Sequence, residues 1–138
     1  FFMNKGIQSF FLAAGNNGCY CFSIIEIAER ITKTEIDPLS ALQAGVAKKF
    51  IRVNEKNYSQ GDNFYVAEPA QFLTYLSGWK CDVKKEAPDY QLKDGEIAVE
   101  CWNCNGRTHF KLSDWDSLEN SQVVKYGKIA SLRVFYPR

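Results

Sequence analysis

Between Cys19 and Thr32 the apolar residues recur at helical spacing. Cys21, Ile24, Ile25, Ala28 and Ile31 fall along one side, and Glu26, Glu29 and Arg30 fall away from it. That pattern predicts an amphipathic helix opening after the glycines and asparagines of AAGNNG. A second helix is predicted to start at Asp37-Pro38, an N-cap followed by proline in the first turn, with Leu39, Leu42, Val46 and Phe50 as its buried face. A third starts at Pro69, runs through AQFLTYL and stops at Gly78. The period then changes to two. Trp79, Cys81 and Val83 alternate with polar residues, Ile97, Val99 and Cys101 recur at every second position, and LRVFY near the end is strand-like. Helices first and a mainly antiparallel sheet second give an α+β plan, with N-terminal helices packed on a C-terminal sheet.

Asn105-Gly106 sits between two strand-like runs, and both residues tolerate positive φ, so a two-residue hairpin turn is predicted there. Such a turn fixes the register outward from itself: Cys104 opposes Arg107, Trp102 opposes His109, and Cys101 opposes Phe110. Ile97, Val99, Cys101, Phe110 and Leu112 then share an apolar face. Glu100, Trp102, Cys104, Arg107, His109 and Lys111 share the other.

The chain has 138 residues, 46% of them hydrophobic, and no repeat, low-complexity segment or flexible linker interrupts it. One domain over residues 1–138, large enough to bury its own core, is expected. Seventeen basic and sixteen acidic side chains leave a formal charge of +1. There is no bulk attraction to nucleic acid or to an anionic membrane. No apolar run approaches a membrane span, and FFMNKGIQSFFLAA lacks the charged, apolar and small-residue order of a secretory signal. Met3 is a candidate start residue. The five cysteines, at positions 19, 21, 81, 101 and 104, are odd in number and cannot all pair within the chain. Their low frequency favours a reducing, cytoplasmic compartment.

The stretch CWNCNGRTHFKLSD supports two chemistries. Cys101, Cys104, His109 and Asp114 are spaced like a zinc knuckle, a module that holds single-stranded nucleic acid through its aromatic residues. The hairpin register opposes this, because it turns Cys101 away from Cys104 and His109, and aspartate is an unusual fourth ligand. Alternatively, the hairpin delivers His109, the chain's sole histidine, to a cysteine far upstream. A thiol attacks as the thiolate, which unpaired amides and the positive dipole end at a helix start favour. Cys19, following Gly18 where the first helix opens, has that position, whereas Cys21 belongs to the apolar stripe. Cys19 as a buried small residue and His109 as an ordinary sheet residue are the plain alternatives.

The order of these features, with GCYCFSII at a helix start and THF on a later strand, resembles the papain-like cysteine peptidases. The likeness is to compact bacterial and phage-associated members, including the bacteriocin-processing-peptidase-like and NlpC-type branches. The segment DWDSLENSQVVKYGKIASLRVF resembles the tail after the histidine strand in small phage-associated relatives, where an Asp-Pro pair is common; here Asp116 is followed by Ser117. The resemblance implies a papain-like fold and a cysteine peptidase or amide hydrolase. In it Cys19 attacks a carbonyl carbon, His109 forms the thiolate-imidazolium pair and protonates the leaving group, and Asp116 orients the imidazole, with Asp114 as its rival. The oxyanion would be held by the Cys19 amide with Gln8, Asn16 or Asn17. Trp102 would shield the His109 site or simply pack. No metal or organic cofactor is implied. A peptide or protein substrate, including a cell-wall peptide, is expected, without a nucleic-acid or membrane partner. A zinc-knuckle module and a catalytically silent papain-like binding protein remain the alternatives.

Overall fold

The computed structural model describes residues 17–54, 64–114 and 118–138. Helix α1, Cys19–Thr32, buries Cys21, Ile24, Ile25, Ile27 and Ala28. Buried Ser23, inside this stripe, donates its hydroxyl to the Cys19 carbonyl at 2.8 Å, so the helix itself satisfies the polar group. Lys33 ends the helix in the left-handed conformation, with φ of 55°.

Helix α2, Pro38–Ala47, is capped by Asp37, whose carboxylate accepts from the Ser40 amide. Its inward face agrees with the predicted one at Leu42, with Val46 and Phe50 packed against the core, and departs from it at Leu39. Ala41, Leu42 and Gly45 are buried, whereas Leu39 is 37% exposed and Val46 and Phe50 are only partly covered. The helix stops at Ala47, and the Phe50 amide turns back to the Gly45 carbonyl at 2.8 Å, which carries Phe50 off the helical face. Small residues face inward because the core approaches closely: a Cβ on Gly45 would lie 2.6 Å from Ile51 Cδ1 and 3.1 Å from Phe72 Cε1.

Strands β1, Ile51–Arg52, and β2, Tyr65–Val66, pair antiparallel as a small separate ladder. Helix α3, Pro69–Ser77, buries Phe72 and Leu73 and stops at Gly78, which has φ of 77°. α1 packs against α3. The second half forms an antiparallel sheet from β3, Cys81–Glu86, β4, Ile97–Cys104, β5, Arg107–Lys111, and β6, Lys128–Pro137. Spatial order is β3-β6-β4-β5, so β5 is an edge strand. Between β5 and β6 lies α4, Leu118–Tyr126. The architecture is α+β, helices first and antiparallel sheet second, with Cys21, Ile24, Phe72, Val99 and Phe135 in one buried cluster between them.

The β4–β5 hairpin has the register that its turn residues dictate. Asn105 and Gly106 have φ of 53° and 79°, and Cys104↔Arg107, Trp102↔His109 and Cys101↔Phe110 are cross-strand partners. Among the described residues no helix is long and apolar enough to cross a membrane.

Candidate active site

Cys19 occupies the first position of α1 and is half-buried. Gly18 precedes it as N-cap and, lacking a side chain, cannot cap the helix; no acidic residue lies in the first turn. The first-turn amides and the positive end of the helix dipole therefore face the surroundings of the Cys19 sulfur.

The sulfur meets the sheet at the open edge of β5. In a two-residue hairpin the closing pair exchanges hydrogen bonds, and alternation outward then leaves the Phe110 amide pointing off the edge. That amide donates to Cys19 Sγ at 3.4 Å, across 91 positions of sequence. Beside this contact the Tyr20 and Phe110 rings stack, with centroids 4.4 Å apart and planes within 9°. His109, next to Phe110 in the chain, is thereby fixed at the strand edge that approaches the thiol.

The His109 ring is oriented from the opposite face of the sheet. Its Nε2 lies 2.7 Å from Asn120 Oδ1, and because an amide oxygen only accepts, Nε2 carries the proton in this contact. Asn120 is buried on α4, and Val123 three positions on faces the same way. α4 comes this close because Gly127 follows it: a Cβ there would stand 2.9 Å from the Asn103 carbonyl and 3.1 Å from Cys104 Cβ. Across the strand pair from His109, Trp102 is pinned through its Nε1 to Glu100 Oε1 at 3.0 Å, and Lys111 Nζ reaches the same oxygen at 3.1 Å.

The structure thus brings Cys19 to the β5 edge at Phe110, the residue after His109, and sets the His109 ring against Asn120, which sequence reasoning missed. Its signal was present: Asn120, Val123 and Gly127 are three and then four positions apart, a helical stripe with a polar residue facing inward. Asp114 is committed elsewhere. Its two carboxylate oxygens accept from Arg30 Nη1 at 3.0 and 3.1 Å, and Arg30 lies eleven residues up α1 from Cys19, roughly 16 Å along the axis. Asp116, Gln8 and Asn16 lie outside the described residues. Asn17 lines the same groove as Cys19.

The other thiols differ in kind. Cys21 is fully buried, and desolvation pushes its thiol up to about 12. Burial likewise raises Cys81. The knuckle ligands do not converge. Cys101 faces the core opposite Phe110, His109 and Cys104 lie on the other face, and Asp114 is held by Arg30. Among the described residues no cluster of three or more His, Cys, Asp or Glu side chains could hold a metal ion.

From Cys19 a groove of about 870 Å³ runs between the start of α1, the β4–β5 hairpin, β2 and β3. Its lining includes Tyr20 and Phe110, with Arg133 over the Phe110 ring at 5.7 Å. The Tyr20 hydroxyl is buried without a hydrogen-bond partner among the described residues, and its desolvation raises the phenol, against the nearby charge of Arg133.

No match was found among curated proteins or among solved structures. A family model does match, over residues 8–137 of the chain. By that coverage the chain belongs to the family described as "Protein of unknown function, DUF261".

Proposed function

We propose that this protein is a cysteine peptidase or amide hydrolase of papain-like plan, with Cys19 as nucleophile, His109 as acid and base, and Asn120 holding the imidazole. The observation that carries the reading is the Phe110 amide on Cys19 Sγ, which brings the residue beside His109 to the thiol at a helix start. The bond from Nε2 to Asn120 supports it by fixing the tautomer. With the proton on Nε2, Nδ1 is the basic nitrogen and takes the thiol proton.

The sulfur then attacks the acyl carbon, and the carbonyl π electrons move to oxygen. The Cys19 amide and the Asn17 side chain are the donors for that oxyanion. Its collapse breaks the C–N bond, and the imidazolium gives its proton to the leaving amine. Water, deprotonated by His109, hydrolyses the thioester and restores the thiol. The assignment of Asn120 takes the orienting role that the resemblance gave to Asp116. A peptide or protein substrate follows from the chemistry, and none of the steps calls on a metal or organic cofactor.

The test is alkylation by iodoacetamide, followed residue by residue by mass spectrometry. Cys19 is expected to react faster than the half-buried Cys104, and His109→Ala is expected to remove that advantage. Equal rates at Cys19 and Cys104 in the native protein would sink the proposal.

A further inference from the structure

The groove that leads away from Cys19 is cationic on a chain whose formal charge is only +1. Lys84, Lys85, Arg107 and Arg133 line it, and none of its described lining residues is Asp or Glu. Lys85 and Arg133 stand directly opposite each other on β3 and β6. Like charges at that spacing repel and destabilise the strand pair.

Among the described residues neither side chain has a carboxylate partner. Arg133 donates to the Ser131 hydroxyl at 2.8 Å and lies over the face of Phe110. Lys84, one position away, shows the contrast. It also borders the groove, but its ammonium is paired with Glu86 at 3.6 Å and Glu96 at 3.3 Å. Tyr20, against the same Phe110 ring, adds a buried hydroxyl without a partner among the described residues, a costly arrangement for a polar group.

We infer that this groove binds an acidic peptide, seating one side-chain carboxylate between Lys85 and Arg133 while the scissile carbonyl lies at Cys19. The inference rests on Cys19 being the nucleophile, since acyl chemistry is what makes the occupant a peptide. A guanidinium fork matches a single carboxylate with two parallel N–H bonds, and Lys85 supplies a second positive charge. Binding relieves the repulsion between the two cations, so the anion is favoured by more than its own contacts. Nucleic acid fits less well, because its evenly spaced phosphates ask for a continuous basic track, which a pair of opposed cations and a hairpin-tip arginine do not make.

The experiment uses the Cys19→Ala full chain, which cannot turn over, and fluorescence anisotropy with two acetylated tetrapeptide amides. One carries a single glutamate among alanines, and its twin carries glutamine. The glutamate peptide should bind about tenfold tighter, and the preference should shrink at about 0.5 M salt. Lys85→Gln, at an exposed position, and Arg133→Gln should each remove most of it. Lys85→Gln keeps the test sound if the loss of Arg133 packing on Phe110 disturbs the fold.

Equal affinity for the two peptides would overturn the inference and leave the nucleophile assignment to the alkylation test. A glutamate preference unchanged in both variants, or stronger binding of an oligothymidylate, would also overturn it. A preference lost with Lys85 in a protein whose Cys19 shows no His109-dependent alkylation would keep the anion site and remove the hydrolase.

Discussion

Replacing Asn120 by alanine tests the role of a residue that does not touch the sulfur. Asn120 Oδ1 accepts from His109 Nε2 at 2.7 Å from a buried position on α4. If the working state of the ring is imidazolium, the bond is charge-assisted and worth about 1.5–3 kcal/mol. At 1.36 kcal/mol per tenfold in rate, its loss should slow Cys19 alkylation by about 10- to 150-fold. Asn120→Asp should retain most of the native rate, because a carboxylate oxygen accepts from the same N–H. Iodoacetamide kinetics across a range of pH, with thermal unfolding of each variant as the control for folding, give both quantities. An alanine variant that stays folded and reacts within threefold of native, or an aspartate variant as slow as alanine, would refute the reasoning.

Cys21, with its thiol pushed up to about 12 by burial, should resist alkylation at pH 8 in the native protein and react once denaturant is added; labelling at the Cys19 rate would contradict its place in the core. Gly45→Ala should lower stability by about 1–3 kcal/mol in urea unfolding, because the new Cβ overlaps Ile51 and crowds Phe72. Glu96 accepts from the Lys93 amide, the Tyr90 hydroxyl and Lys84, and its carboxyl is held below the ordinary glutamate value of 4.5, first by the amide bond. A depressed carboxyl stabilises the fold above its unfolded pKa and loses that contribution as pH falls through the folded one. Glu96→Gln should therefore be less stable than native at pH 7 and lose less on acidification below pH 4.5; parallel acid limbs in thermal unfolding would count against it.

Local pattern alone determined a good deal of this protein. The stripe at Cys21, Ile24, Ile25 and Ala28 defines α1 because a helix with one apolar side has one way to face a core. Asn105-Gly106 sets the β4–β5 register to the residue, since positive φ at both positions admits only a tight turn, and the pleat then assigns every side chain to a face. The inward face of α2 was legible only in part: Leu42 is buried and Val46 and Phe50 pack against the core, but Leu39 is exposed, and the tight space beside Ile51 and Phe72 admits the small Gly45.

Tertiary structure decided who meets whom. Asp114 is as plausible an orienter as any acid near His109 until Arg30, 84 positions away, is seen to hold it. Asn120 becomes an orienter only because Gly127 lets α4 close on the His109 face. The cations of Lys85 and Arg133 likewise become one site only through the pairing of β3 with β6. Periodicity along a chain encodes which side of an element turns inward, but the partner found there depends on how separate elements dock, and that is fixed by close packing across the whole molecule.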